Sequence, residues 1–255
     1  MNTVADGALI SVEDFHKTYR ETVAVSGLTF RVGPGQILGL VGPNGAGKTT
    51  TLRAIAGIIP PTRGRLMVDG HDLASEPVEA KRKLAYVPDE PKLFDLLSVA
   101  EHLEFAAAAY RVADAAAKSV ALLNAFELTE KKDALTQELS RGMRQKVAIC
   151  CAYLHDPSAI LFDEPLTGLD PRAIRTLKDS FYERAKAGAA IVISSHLLSL
   201  VEDLCSHLLI LDRGRARFFG PIDEARSAYA DVDGGKSLEE IFFRATEGDG
   251  GGLPK

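Results

Sequence analysis

Eight consecutive residues carry the strongest chemical signal in the chain. Gly42, Pro43, Asn44, Gly45, Ala46, Gly47, Lys48 and Thr49 match G-x-x-x-x-G-K-[ST], the pattern of a loop that cradles phosphates. Its glycines let the backbone curl so that N–H groups converge on phosphate oxygens. Lys48 supplies a full positive charge to the outer phosphates, and Thr49 offers a hydroxyl to Mg²⁺. Thr50, next in the chain, counts among the residues expected to contact the nucleotide. A second signal is the acidic pair Asp163-Glu164 after an apolar run. Phosphoryl transfer needs Mg²⁺ held beside the phosphates and a group that orients the attacking water. Asp163 suits the first task and Glu164 the second. Together the two signals predict binding of ATP or GTP, with hydrolysis.

These residues need elements to hold them. Gln36 to Val41 is short and apolar, as a buried parallel strand is, and Lys48 to Ile55 reads as a helix that ends near Gly57. The loop thus joins a strand to a helix, whose N-terminus adds partial positive charge. Ala159 to Phe162 reads as another buried strand. Its acidic pair falls at the carboxyl end, where ligands bind in parallel sheets. Leu9 to Glu13 and Leu28 to Val32 alternate as strands, with a turn at Gly33-Pro34-Gly35. Arg65 to Val68 and Leu84 to Val87 are further strands, the second stopped by Pro88.

From Ser98 the period changes. Val99, Leu103, Ala106 and Tyr110 recur at helical spacing, and helical character continues with breaks to Leu154. Val147, Cys150, Cys151 and Leu154 form one stripe, so the cysteines read as core residues. Ser140 is well placed to cap the striped helix, and a Ser and Gly at a helix N-terminus can also bind an anion. A helix over Pro171 to Ala187, a strand over Ile191 to Ser194 and a hairpin over Leu208 to Phe219 follow. Ser237 to Ala245 reads as a short helix, and Gly248 to Gly252 as a disordered tail. Such alternation predicts an α/β fold whose parallel sheet has right-handed crossovers. The expected organisation is one domain over residues 1–230, with a helical insertion at about 98–154, and a terminal helix and tail over 231–255.

Composition excludes several classes. The chain has 255 residues, 46% of them hydrophobic and 25% charged, as in ordinary soluble domains. A formal net charge of -5 argues against non-specific nucleic-acid binding. No apolar run approaches the roughly 18 residues of a membrane span. Met1 to Gly7 has neither a basic start nor an apolar core, so a secretion signal is not expected. Three cysteines, two of them adjacent, make no disulfide framework, and a reducing, cytoplasmic setting fits.

With these residues in view, the chain resembles an ATP-binding subunit of an ABC (ATP-binding cassette) transporter, over essentially residues 9 to 220. In that family the phosphate loop, an L-S-G-G-Q signature and the acidic pair recur in this order. The signature here is Leu139-Ser140-Arg141-Gly142-Met143, with Arg and Met in place of the first Gly and the Gln. The resemblance implies a P-loop NTPase with a RecA-like parallel-sheet core, an antiparallel β subdomain and an inserted helical subdomain. Tyr19 falls where the family stacks an aromatic ring on adenine; it also reads simply as a strand aromatic. Thr167-Gly168-Leu169-Asp170 resembles the loop that touches the opposite nucleotide, while Asp170 before Pro171 is equally a helix N-cap. His196, after Ser194-Ser195, matches the residue that senses the γ-phosphate, or it is a helix-entry histidine. A further position departs from the pattern: after Tyr86-Val87-Pro88 the family usually carries Gln, which reaches Mg²⁺ and the attacking water, and this chain has Asp89, which the resemblance implies acts there in catalysis and at Mg²⁺.

The resemblance further implies that two ATPase subunits, identical or different, sandwich two ATP molecules with Mg²⁺. Ser140 and Gly142 of one would cap the γ-phosphate on the other's loop. Closure of the dimer would drive a separate transmembrane permease, with this chain peripheral on the cytoplasmic face of the membrane. Leu93 to Leu97 fall where the family docks a short helix of that permease, or else they pack within the helical subdomain. The terminal helix resembles the short tail of exporter-type subunits, and no importer-like regulatory domain is expected. The competing expectation is a soluble ATPase of a non-transport assembly, such as iron–sulfur cluster assembly. A DNA-repair or chromosome type is disfavoured by the lack of a coiled coil and of a basic face.

Overall fold

The computed structural model of the chain describes residues 7–228 and 237–247. It opens with two long antiparallel strands, β1 (Ile10–Tyr19) and β2 (Thr22–Val32). Next come β3 (Ile37–Val41), buried throughout, and α1 (Lys48–Ile55). β4 (Arg63–Val68) and β5 (His71–Asp72) join the first two strands in an antiparallel sheet of order β2-β1-β4-β5. After α2 (Pro77–Arg82) and β6 (Leu84–Val87) the chain turns helical, with α3 (Val99–Tyr110), α4 (Ala115–Ala125) and α5 (Arg141–Tyr153). Alternation resumes with β7 (Ala159–Asp163), α6 (Pro171–Lys186), β8 (Ala190–Ser194) and α7 (Leu198–Leu204). A hairpin of β9 (His207–Asp212) and β10 (Arg215–Pro221) leads to α8 (Ile222–Ala228) and α9 (Leu238–Glu247).

The second sheet has the order β10-β9-β3-β8-β7-β6, parallel except for β10 at its edge. Its apolar strands are buried on both faces, and their residues alternate between two cores. Leu38, Leu40, Leu161 and Val192 pack toward α1 and the antiparallel sheet. Ile160, Phe162, Ile191 and Ile193 pack toward α5, α6 and α7. A strand buried on both faces reads as a continuous apolar run, which is why β3, β7 and β8 show no polar alternation. This is the α/β architecture of a P-loop NTPase. The order places β8 between β3 and β7, so the strand ends carrying the phosphate loop and the acidic pair flank the end of β8.

The expected elements are present, with differences at their edges. β1 continues six residues beyond Glu13, because the alternation breaks at Asp14, whose φ is 47°, and the pairing register shifts there. α2, α7 and α8 had no expectation at all; each is six or seven residues long, too short for a helical period to stand out. The glycine run at 248–252 lies outside the described residues.

Candidate functional site

The phosphate loop leaves β3 and closes on itself before α1. Gly47 takes φ 105° and Gly45 φ 80°, conformations that side-chain-bearing residues rarely adopt. Gly42 lies so close to the Leu211 carbonyl that a Cβ would come within 2.3 Å of its oxygen. Gly47 precedes α1 and offers no side chain to cap it. The first N–H groups of α1 therefore lack a side-chain acceptor, the condition for binding an anion. Pro43, Asn44 and Gly45 are exposed at the loop tip, and Ala46 is buried beneath it.

Lys48 is only 9% exposed, and its ammonium donates to the Gly42 and Pro43 carbonyls at 2.7 and 3.2 Å. Burial pushes it below its ordinary value, while the charges of Glu164 and Asp163 push the other way. An ammonium has three donors, and two carbonyls use two of them. The remaining donor, the curled backbone and the uncapped helix fit a phosphate chain. Thr49 Oγ1 donates to Asp163 Oδ1 at 3.2 Å, which joins two hard oxygen groups across 114 residues of sequence. Such donors suit Mg²⁺, which takes one or two carboxylates and completes its shell with water and substrate phosphates. Among the described residues no group of three or more His, Cys, Asp or Glu forms a metal cage. A metal here would thus depend on the phosphates, as that donor set requires.

Asp163 is buried and gathers hydroxyls. Ser194 Oγ donates to Oδ1 at 2.5 Å and Tyr86 Oη donates to Oδ2 at 3.4 Å. Burial, and after it the Asp163 charge, pushes the Tyr86 hydroxyl up to about 12, so it remains a donor. Glu164 follows in the left-handed region, at φ 48°. Its Oε2 lies 2.8 Å from Nδ1 of His196, whose ring is mostly exposed. Thr49, Asp163, Ser194, Glu164 and His196 are thereby one bonded cluster, and Lys48 feels its two carboxylates through charge alone. Thr50 lies beside it in the first turn of α1, half-buried.

The remaining expected residues lie elsewhere. Ser140 caps α5 by accepting from the Met143 N–H at 3.3 Å and is exposed. Gly142 abuts the loop after β7: a Cβ there would come within 2.6 Å of the Gly168 carbonyl oxygen. Asp170 caps α6 through the Ala173 N–H at 2.9 Å, and its other oxygen faces Lys146 at 3.7 Å. Tyr19 ends β1 with its ring 45% exposed and the Lys17 ammonium 5.0 Å from the ring centre. Neither Ser140, Gly142, Asp170 nor Tyr19 is bonded to the cluster.

Asp89 is the clearest departure from expectation. Its carboxylate accepts from Arg141 Nη2 at 3.0 Å, and no bond joins it to Thr49 or Asp163. Two of the three positions where this chain differs from the family pattern, Asp89 and Arg141, are therefore paired with each other. The Arg141 stem also lies against Gly168. Sequence reasoning missed Tyr86 and Ser194. The available signal was a hydroxyl in the last two residues of an otherwise apolar strand in each case.

Comparison with known proteins gives the family of the chain. The family model described as ABC transporter matches residues 25–167. The ABC-type transporter ATP-binding protein EcsA of Bacillus subtilis is 34% identical over 246 residues, 96% of this chain and 99% of that protein. The Nod factor export ATP-binding protein I of Cupriavidus metallidurans is 35% identical over 82% of this chain and 69% of its own length. A solved structure of an ATP-binding subunit of an ABC transporter superposes with a TM-score of 0.88 at 36% identity. That match covers 93% of this chain and 99% of the other.

Proposed function

The chain belongs to the ABC transporter family as an ATP-binding, ATP-hydrolysing subunit, and from that premise we propose that it works as a dimer that drives a separate transmembrane partner, outward across the membrane. The observation that carries the proposal is the division of the site. Thr49, Asp163, Glu164 and His196 are joined, with Ser194 as the link and Lys48 next to Thr49 in the chain, whereas Ser140 and Gly142 sit on α5 with no bond to them. One chain offers both halves once, so two chains make two composite sites.

In this reading the loop and Lys48 bind the phosphates of ATP, and Tyr19 stacks on its base. Thr49 and Asp163 hold Mg²⁺, which when bound neutralises charge developing on the phosphates. Glu164 orients water, and His196, already bonded to it, senses the terminal phosphate. Ser140 and Gly142 of the second chain cap that phosphate, and Asp170 lies in the loop that faces it. The helical insertion and the core act as the two parts of one ATPase domain, with closure and reopening as the mechanical output.

A groove of about 530 Å³ lined by Tyr86, Pro88, Leu93, Tyr110, Cys151 and His155 supports docking of a partner. Beside it Phe94 and Leu96 are 55% and 76% exposed, an unusual cost in water unless covered. No helix among the described residues is long and apolar enough to cross a membrane. The chain would then lie on the cytoplasmic face, held by its partner. The likeness to a Nod factor export protein supports the outward direction.

Mixing chains tests the composite site. A Lys48→Ala chain keeps its signature and a Ser140→Arg chain keeps its phosphate loop, so their heterodimer has one intact site. ATPase activity of the mixture should exceed that of either variant alone. If no mixing ratio gives more activity than the separate variants, the shared site is wrong.

A further inference from the structure

β8 is apolar until its last residue, Ser194, whose side chain is fully buried. In the sheet Ser194 pairs with Leu40 of β3 on one side and with Asp163 of β7 on the other. Its hydroxyl therefore sits between the phosphate-loop strand and the acidic strand. The hydroxyl proton goes to Asp163 Oδ1 at 2.5 Å. The oxygen accepts from the Glu164 N–H at 3.2 Å, and the Ser194 carbonyl accepts from the same N–H at 3.1 Å.

A buried serine has a cheaper way to satisfy itself, which is to bond its own neighbouring backbone. Ser195 does this: its Oγ accepts from the Leu197 N–H at 3.0 Å. Ser194 instead spends both its donor and an acceptor on the acidic pair, across 31 and 30 residues of sequence. The pair needs that support. Glu164 sits at φ 48°, a conformation a non-glycine residue keeps only when its surroundings over-determine it. Two acceptors on one N–H fix the direction of that peptide. A short hydroxyl–carboxylate bond fixes the Asp163 rotamer at the same time.

We infer that Ser194 is a positioning residue of the ATPase, one hydroxyl that locks the metal-holding carboxylate and the water-orienting residue into a single geometry. The inference rests on the roles given above to Asp163 and Glu164, and it adds a residue that acts through those two.

The test compares Ser194→Ala, Ser194→Cys and Ser194→Thr in the whole protein. Binding of a fluorescent ATP analogue is titrated with and without Mg²⁺, and kcat and KM are measured beside melting curves. Loss of one hydrogen bond to a charged group predicts about a tenfold fall in kcat for Ala, with a similar rise in the Mg²⁺ needed for tight analogue binding. Affinity without Mg²⁺ should stay at the wild-type value. Thr, which keeps the hydroxyl, should recover most of both. Should Ala melt too low to assay, Cys fills the same volume with a weak donor and should show the same pattern.

Unchanged kcat and Mg²⁺ dependence in Ala or Cys would overturn the inference. So would a parallel loss of analogue binding with and without Mg²⁺, which marks general disruption. Asp163→Asn is run alongside. If it too keeps a wild-type Mg²⁺ dependence, the metal role of Asp163 fails first. If it loses that dependence while the Ser194 variants keep it, only the role of Ser194 falls.

Discussion

Around Lys48 the functional groups, His196 excepted, are buried or half-buried, and most are bonded to one another. Lys48 and Asp163 are nearly inaccessible, Ser194 is wholly so, and Asp163 is bonded to both Thr49 and Ser194. Around Ser140 the opposite holds. Ser140 and Arg141 are exposed and Asp89 is half-buried, and the bonds there are a helix cap and an ion pair open to water. The first region is preorganised, so that charge developing on a phosphate would meet fixed dipoles without rearrangement. The second is a surface, finished on its own only to the extent of capping one helix. The contrast teaches that fold stability and site completeness are separable here. The first region makes its own bonds in the interior, whereas the second presents its groups to solvent.

The largest expected effect lies in the buried region. Glu164→Gln removes the carboxylate and keeps its shape, and turnover should fall about 10²–10⁴-fold while ATP binding survives. Gel filtration with ATP should then reveal an accumulated dimer. Near-normal turnover would end the assignment of Glu164 and with it the contrast drawn above. Tyr19, at the end of β1, is exposed but expected to touch the base. Tyr19→Ala should weaken ATP binding by about 1–3 kcal/mol, the scale of base–aromatic stacks, and Tyr19→Phe should not. Equal affinities in a calorimetric titration of all three forms would leave Tyr19 an ordinary strand residue.

The smallest effects belong to the exposed region. Asp89 and Arg141 form an ion pair with both partners 44–45% exposed, so separating them should cost no more than about 1 kcal/mol of stability. A double-mutant cycle with Asp89→Asn and Arg141→Gln, read by melting temperature, measures that coupling; a value well above this bound would make the region structural. The same Asp89→Asn variant sharpens the comparison through Mg²⁺. Because the carboxylate is taken up by Arg141, the Mg²⁺ titration of ATPase activity should overlay the wild type. A shifted curve would return Asp89 to the metal, against its observed bonding.

Several features were legible in the residues alone. The phosphate loop is a local device: its glycines at fixed spacing permit the positive φ angles at Gly45 and Gly47, whatever the rest of the chain does. The strands β3, β7 and β8 announced themselves as apolar runs, and Asp170-Pro171 as a helix start. The first hairpin was read only at its outer ends, since the bulge at Asp14 interrupts the two-residue period. α7 is absent from the pattern because seven residues span only two helical turns.

The sequence by itself determined which residues could handle phosphate, and in what order along the chain. It did so because loop curvature, caps and strand burial follow from residues close together. Only the tertiary structure decided who partners whom. Asp89 with Arg141 spans 52 residues, and Ser194 with Asp163 spans 31. Such bonds depend on the strand order β3-β8-β7 and on where α5 comes to rest, neither of which any local propensity encodes. The same dependence turned an acidic residue expected at the metal toward an arginine, and made a serine at a strand end a neighbour of both acidic residues.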